Sequence, residues 1–138
     1  MGILVTSLLF SLVHSANPEI DKFGFLPMQF YYIGAGLFLA LIAFFDDGLE
    51  LSIGVHTATN LYGALFIKYS GSVLQTDALW SMKTISVWVM IAAFYISAVI
   101  FIFLAAKKFK WNLDLKRLYS KDIEDSLNTI QDKPEIIK

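Results

Sequence analysis

The chain contains no cysteine among its 138 residues. This absence excludes disulfide bonds, thiolate metal sites and a cysteine nucleophile. Two long stretches, residues 26–45 and residues 84–106, also lack Asp, Glu, Lys and Arg. The formal net charge is −1, which gives no electrostatic basis for a nucleic-acid partner. The abundant component of the chain is instead apolar surface.

Apolar residues make up 57% of the chain, more than soluble domains usually contain. A water-soluble protein of this size lacks the interior to bury that much apolar surface. Each charge-free stretch is long enough, at about 1.5 Å per residue, to cross a hydrocarbon core of roughly 30 Å. Trp80, Trp88 and Trp111 lie near the ends of the second stretch, and indole rings favour the membrane interface. The sequence therefore predicts an integral membrane protein in contact with a lipid bilayer.

The pattern of apolar residues predicts four helical segments. The first runs from residue 1 to His14 and stops at Asn17-Pro18, because the residue before a proline is pushed out of the helical region. This segment is too short to cross a bilayer. The others are a span at 26–45, a less apolar helix at 49–68 and a span at 84–106. The expected fold class is all-α, a multi-pass transmembrane helical bundle with about three spans and a truncated first helix.

The chain is expected to divide into a membrane domain at residues 1–106 and a polar tail at residues 107–138. In the tail, apolar residues at helical spacing indicate a short surface helix; they are Ile123, Leu127 and Ile130. The basic residues of the tail place the C-terminus in the cytoplasm by the positive-inside bias; they are Lys107, Lys108, Lys110, Lys116, Arg117 and Lys121. Asp46 and Asp47, which follow the first span, are expected to form a solvated turn.

The only two histidines lie on apolar segments. His56 and Asn60 are four residues apart and share one face of a helix, and Phe10 and His14 have the same spacing. Polar side chains on a membrane helix are costly unless they face the bundle interior. They can serve there as interhelical hydrogen-bond donors worth about 0.6–2 kcal/mol, or as a working site. The spacing alone does not decide between these two interpretations.

Two short motifs carry a resemblance to a known family. Phe10-x-x-x-His14, with Asn17-Pro18 after it, resembles the second motif of the CPBP family of intramembrane proteases, which includes the type II CAAX prenyl endopeptidases. His56-x-x-x-Asn60 resembles the third motif of that family. The resemblance covers residues 1–68 and implies an endopeptidase built inside a helical bundle. It also implies a bacterial plasma membrane as the location.

The resemblance assigns a role to each of three residues. It implies that His14 activates a water molecule together with a glutamate from a first motif, Glu-Glu-x-x-x-Arg. It implies that His56 and Asn60 stabilise the oxyanion of the tetrahedral intermediate. An imidazole can transfer a proton near neutral pH, and N–H donors aimed at developing charge suit the second role. The implied substrate is a membrane-associated peptide, or a prenylated or leader-bearing protein.

The chain departs from the family because it contains no Glu-Glu-x-x-x-Arg. The fold is thus expected to be incomplete, with residue 1 an internal start and the missing N-terminal part of the same reading frame a partner of this chain. A hydrolytic site without its carboxylate is slow, since a positioned base contributes about 10²–10⁴-fold. The chain alone is therefore expected to be inactive. Glu19 and Glu50 are expected to be solvated charges that do not replace the missing motif.

Alternatives to a protease remain open from the sequence. One is a non-enzymatic member of the same family, a bacteriocin self-immunity or scaffold protein whose histidines are packing donors. Another is a small transporter or channel subunit with Thr57, His56 and Asn60 on its polar face. No cofactor is expected, although His14 and His56 with a third ligand would suit zinc. Gly34-x-Gly36 indicates close helix packing and lacks the lysine and flanking strand of a phosphate loop.

Overall fold

The computed structural model describes residues 2–117. In chain order the elements are α1 (Gly2–Val13), a 3-10 turn (His14–Ala16), α2 (Glu19–Phe23), α3 (Phe25–Phe45), α4 (Glu50–Phe66), β1 (Ile67–Tyr69), β2 (Trp80–Met82) and α5 (Val87–Phe109). Helices dominate and the two strands are very short, so the predicted all-α class is confirmed. The predicted tail helix around Ile123 lies outside the described residues.

Helix α1 packs closely against α3 because the contact is built from small residues. Ser7 and Ser11 are buried on α1, and Gly36 faces them from α3. A Cβ atom added at Gly36 would lie 2.8 Å from the Ser7 Cα atom and 3.0 Å from the Phe10 Cβ atom. Gly34 likewise faces the side chain of Tyr95 on α5. The close packing predicted from Gly34-x-Gly36 is confirmed.

Polar side chains fix how α1 is rotated against α3. The Ser11 hydroxyl donates to the Gln29 side-chain oxygen. The Gln29 amide nitrogen in turn donates to the Ser15 hydroxyl at 2.9 Å. Since both ends of one amide are bonded to α1 and the turn that follows it, few other rotations would satisfy these groups. This arrangement sets the direction in which His14 projects.

Helices α4 and α5 contact other faces of α3. The Ser52 hydroxyl on α4 donates to the Leu39 carbonyl oxygen at 2.9 Å. On α5, the Tyr95 hydroxyl donates to the Phe30 carbonyl oxygen at 3.0 Å. The ring of Phe38 lies 5.6 Å from the ring of Phe101, in an edge-to-face arrangement. Helix α3 is therefore the element against which the other long helices pack.

Two helices are long and apolar enough to cross a membrane, α3 with 21 residues and α5 with 23. Helix α3 corresponds to the span predicted at 26–45. Helix α5 begins three residues later than predicted, because Ser86 has an extended backbone with ψ at 123°. It also continues through Lys107 and Lys108, whose positive charges are favourable in the last turn of a helix. The predicted domain boundary between residues 106 and 107 thus falls inside α5 and stays a prediction.

The predicted helix at 49–68 is shorter than expected. Helix α4 ends at Phe66, and the next three residues form β1, which pairs in parallel with β2 so that Ile67 lies opposite Trp80. The residues between the strands form a loop, and Asp77 in this loop makes an ion pair with Lys68 of β1 at 3.2 Å. This small sheet closes one end of the space between α3 and α4.

The acidic turn after α3 is confirmed as a turn; Asp47 is exposed as expected, whereas Asp46 is half-buried. Asp47 has a positive φ of 51°. The Trp111 indole N–H donates to an Asp46 carboxylate oxygen at 3.0 Å, and Arg117 pairs with Asp47 at 3.1 Å. These two contacts hold the chain after α5 against the end of α3. The sequence did not indicate this contact, because the bonded residues are far apart along the chain.

Candidate functional site

His14 lies where α1 gives way to the 3-10 turn. Its Nδ1 atom is 2.7 Å from the Phe10 carbonyl oxygen. A carbonyl oxygen can only accept, so Nδ1 carries the proton and donates it. The Nε2 atom of the neutral ring is then the nitrogen that can accept a proton. The four-residue spacing of the motif therefore selects one tautomer of His14.

Aromatic rings hold the two histidines on either side of Phe10. The His14 ring stacks on the Phe10 ring with 4.2 Å between centroids, and the His56 ring meets the Phe10 ring edge-on at 5.6 Å. The sum of these distances is an upper limit on the separation of the two imidazoles. The Tyr32 ring lies 5.1 Å from the His14 ring on the α3 side. One phenylalanine thus positions residues from α1 and α4.

His56 and Asn60 interact along α4, as their spacing predicts. The Asn60 amide nitrogen lies 3.3 Å from the His56 Nε2 atom. An amide nitrogen only donates, so this Nε2 atom accepts and the proton of His56 is on Nδ1. The His56 Nδ1–H and the second Asn60 N–H remain as donors. Within residues 2–117, each histidine bonds to a residue of its own segment, which is not the interhelical bonding that a packing role predicts.

A cavity of about 520 Å³ lies between α1, α3, α4 and the loop that follows β1. It is lined by all three predicted site residues, His14, His56 and Asn60. Phe10 also lines it. Thr59 lines the cavity, whereas the exposed Thr57 is not among its lining residues. Of the polar face proposed for a transporter, His56 and Asn60 line the cavity and Thr57 does not.

Glu19 is buried, so the expectation that it is a solvated charge is wrong. It is 5% exposed and lines the same cavity. One carboxylate oxygen accepts the Val73 N–H at 2.7 Å, and the other has no hydrogen-bond partner among the described residues. The cause is the loop between the strands, which covers the first turn of α2. Glu50 is exposed, as expected.

Other polar residues of the cavity were missed from the sequence. Asn17, interpreted there only as a helix stop, donates its side-chain N–H to the Tyr32 hydroxyl at 3.3 Å. Tyr69, at the end of β1, also lines the cavity. Burial raises the pKa of Tyr69 to about 12, and the Glu19 carboxylate acts in the same direction. The Tyr69 hydroxyl therefore stays neutral at physiological pH.

The protein ligands for a metal ion are incomplete in this part of the chain. Zinc usually has at least three protein ligands from His, Cys, Asp or Glu. Among residues 2–117, no group of three such side chains is close enough to hold a metal ion. His14, His56 and Glu19 line one cavity, but these three side chains do not come close enough together to hold an ion.

The fold is helical, with two helices long and apolar enough to span a membrane, and a cavity with polar residues in its lining lies between the helices. A family model described as type II CAAX prenyl endopeptidase Rce1-like matches residues 1–62. This stretch contains both motifs and all three predicted site residues, so the resemblance to the CPBP and CAAX protease family is confirmed. The matched stretch is less than half of the chain. No curated protein and no solved structure matches it.

Proposed function

We propose that this chain provides the histidine half of a CAAX-type intramembrane endopeptidase, which hydrolyses a peptide bond with an activated water molecule. The observation that carries the proposal is the convergence of His14, His56 and Asn60 on one cavity. The substrate would be a membrane-associated peptide, prenylated or leader-bearing. The proposal places the chain in a bacterial plasma membrane with its C-terminus in the cytoplasm.

His14 would transfer protons in this reaction. Its Nδ1–H is held by the Phe10 carbonyl oxygen, which leaves Nε2 to take a proton from water. The water oxygen then bonds to the carbonyl carbon of the scissile peptide. When the carbon–nitrogen bond breaks, His14 returns the proton to the leaving amine, so the imidazole is neutral again at the end.

His56 and Asn60 would stabilise the negative charge on the carbonyl oxygen. The His56 Nδ1–H and the second Asn60 N–H are the available donors. Their mutual contact at 3.3 Å fixes one against the other before substrate arrives. Such preorganised donors contribute because they do not need to reorient when charge develops.

The proposal also requires a carboxylate beside His14. The family supplies it from Glu-Glu-x-x-x-Arg, which these 138 residues lack. A further polypeptide segment would therefore bring this glutamate to the cavity. The chain alone is expected to cleave slowly or not at all, since the base contributes about 10²–10⁴-fold.

A multi-pass arrangement is supported by the direction of the helices. The pairs Phe30 with Tyr95 and Phe38 with Phe101 are in contact, and Asp46 bonds Trp111 at the far ends. Helices α3 and α5 therefore run in the same direction. If both cross the membrane, the chain between them has to return across it, and α4 is the element available. Its 17 residues cover about 25 Å.

The test uses the full chain in lipid nanodiscs, with and without a synthetic helix that carries Glu-Glu-x-x-x-Arg, and a fluorogenic farnesylated peptide. We expect cleavage with the helix present. His14→Ala should lower turnover about 10²–10⁴-fold, and Asn60→Ala about 10²–10³-fold. Thr57→Ala is the matched control, because Thr57 is exposed on the same helix as His56.

Circular dichroism of each variant verifies that the bundle is folded. Normal turnover by folded His14→Ala would refute the role of that residue. Absence of cleavage under all conditions, with every variant folded, would instead favour the non-enzymatic family member, a self-immunity or scaffold protein.

A further inference from the structure

The cavity contains a second polar centre, Glu19, which the proposed reaction does not use. It lies at the first position of α2 and is 95% buried, because only 5% of it is exposed. Its Oε1 atom accepts the Val73 N–H at 2.7 Å. Its Oε2 atom is buried and has no hydrogen-bond partner in the part of the chain that the structure describes. A carboxylate oxygen without a partner thus lies buried in the wall of the cavity.

Leaving a buried carboxylate oxygen unpaired is costly, and buried charges are normally paired. No ion pair of Glu19 occurs within residues 2–117. Lys22, one turn further along α2, is already used: it donates to the Ser70 carbonyl oxygen, and its Nζ atom lies 5.0 Å from the Tyr69 ring centroid. Within residues 2–117 no side chain supplies a compensating positive charge, and the cation of a ligand could do so.

The surroundings of Glu19 favour a cation. Tyr31, Tyr32 and Tyr69 line the cavity with it, and aromatic faces attract cations. The Tyr31 and Tyr32 rings lie 5.6 Å apart in an edge-to-face arrangement. Because the Tyr69 hydroxyl stays neutral, it adds no second negative charge to this end of the cavity. A ligand at this end of the cavity would therefore have to neutralise only the single negative charge of Glu19.

The number of free oxygens decides which cation fits. A guanidinium group is bound best by both oxygens of a carboxylate, as a bidentate pair. One oxygen of Glu19 is already occupied by the Val73 N–H, so only one is free. A divalent metal ion needs several oxygen ligands or a set of His and carboxylates, and no such group is present among residues 2–117. An ammonium group is a compact point charge that can pair with a single carboxylate oxygen.

We propose that Glu19 binds the side-chain ammonium group of a lysine in the peptide that occupies the cavity. This inference rests on the proposed function, in that a peptide fills the space shared by Glu19, His14 and His56. It adds a specificity: peptides with lysine at one fixed position bind more tightly than peptides with an uncharged side chain there.

Binding of synthetic peptides to the full chain in nanodiscs tests this proposal. The probes are ten-residue peptides of alanine and leucine, blocked at both ends, with one lysine placed at each position in turn. The matched probes carry norleucine, which has a similar length and no charge, or arginine. At one position we expect lysine to bind about tenfold more tightly than norleucine, as one charge-assisted hydrogen bond permits. We expect arginine to bind less tightly than lysine.

The variant that carries the test is Glu19→Gln, which keeps the shape and removes the charge. We expect it to lose the preference for lysine while its affinity for the norleucine peptide is unchanged. Glu50→Gln is the matched control, because Glu50 is exposed, and it should keep the preference. An unchanged preference in Glu19→Gln, or equal binding of lysine and norleucine at every position of the wild type, would overturn the proposal.

Two further measurements keep the outcomes distinct. If Glu19→Gln does not fold, the charge is removed from the peptide instead, by replacing its lysine with acetyl-lysine. Equal affinity of the wild-type protein for the lysine and acetyl-lysine peptides would overturn the proposal. Because binding is measured without cleavage, His14→Ala should keep the lysine preference. With the Glu-Glu-x-x-x-Arg helix added, preference without cleavage would contradict the proposed reaction alone, and cleavage without preference would contradict the lysine site alone.

Discussion

At the scale of single residues, the site depends on where backbone groups lie. The Phe10 carbonyl oxygen holds Nδ1 of His14, and the Val73 N–H holds one oxygen of Glu19. In each case a main-chain group bonds one end of an ionisable side chain that lines the cavity, and the other end is left without a main-chain partner. A main-chain partner is not removed by side-chain substitution, so each orientation is set by the fold.

Tyr69 gives a prediction about alkaline pH. Its pKa is raised from 10.0 to about 12, first by burial and then by Glu19. The folded state therefore holds this proton more tightly than the unfolded state, and the resulting stability is full below pH 10 and is lost as the pH rises towards 12. We expect Tyr69→Phe to lose less stability than the wild type over this range.

The measurement is the midpoint temperature of thermal unfolding in detergent, at about pH 9 and at about pH 11.5. Most of the pH-dependent loss of stability due to Tyr69 falls between these two values. Tyr62→Phe, which removes an exposed hydroxyl from the neighbouring α4, should lose as much stability as the wild type. An equal loss in Tyr69→Phe and the wild type would show that Tyr69 does not titrate with unfolding.

The sequence singled out His14, His56 and Asn60, which line one cavity, because each of the two motifs uses a four-residue spacing within one segment. Glu19 could not be singled out in this way. Its burial depends on a hydrogen bond to Val73, 54 residues further along the chain. A glutamate in the first turn of a helix is favourable for local reasons as well, so the residue type gave no signal of a cavity.

At the scale of elements, the contact between α1 and α3 places His14. Gly36 allows the helices to approach, since a Cβ atom there would lie 2.8 Å from a backbone atom of α1. A backbone atom cannot move aside as a side chain can. Helix α1 would have to shift, and Phe10, whose Cβ atom lies 3.0 Å from the same point, would shift with it.

We therefore expect Gly36→Ala to destabilise the protein by about 1–3 kcal/mol, the usual cost of overpacking. Gly54→Ala is the matched control, because a Cβ atom at Gly54 meets nothing within 4 Å and alanine is the better helix former. Unfolding in mixed micelles compares the two. A Gly36→Ala variant as stable as Gly54→Ala would contradict the close approach of α1 and α3.

The long helices could be predicted because charge-free stretches of that length are rare outside membranes. The strands β1 and β2 could not, since three residues are too few to show a periodicity. The start of α5 at Val87 could not be predicted either. Residues 84–86 are uncharged, and the absence of charge does not distinguish a helical from an extended backbone.

At the scale of the whole molecule, α3 and α5 run in the same direction, and the cavity and the basic segment after α5 lie at opposite ends of these helices. Trp111 and Asp46 bond at the C-terminal ends of these helices. The cavity lies towards their N-terminal ends, where it is lined by Tyr31 and Tyr32 on α3 and by Met90 on α5. The basic segment after α5 and the cavity are therefore at opposite ends of the bundle.

The absence of cysteine makes this separation measurable. We expect Ser81→Cys, in β2 near the cavity, and Lys116→Cys, in the segment after α5, to react with a membrane-impermeant maleimide from opposite sides of sealed vesicles. Both residues are exposed, and the wild type supplies an unreactive background. Labelling of both variants from the same side would contradict the assignment of α3 and α5 as parallel spans.

The hydrogen bond between Trp111 and Asp46 bears on how a substrate is delivered. If the tail lies in the cytoplasm, as proposed, the cavity would open towards the outer leaflet. A substrate would then have to reach the histidines from that side, and a single indole contact far from them fixes this relation.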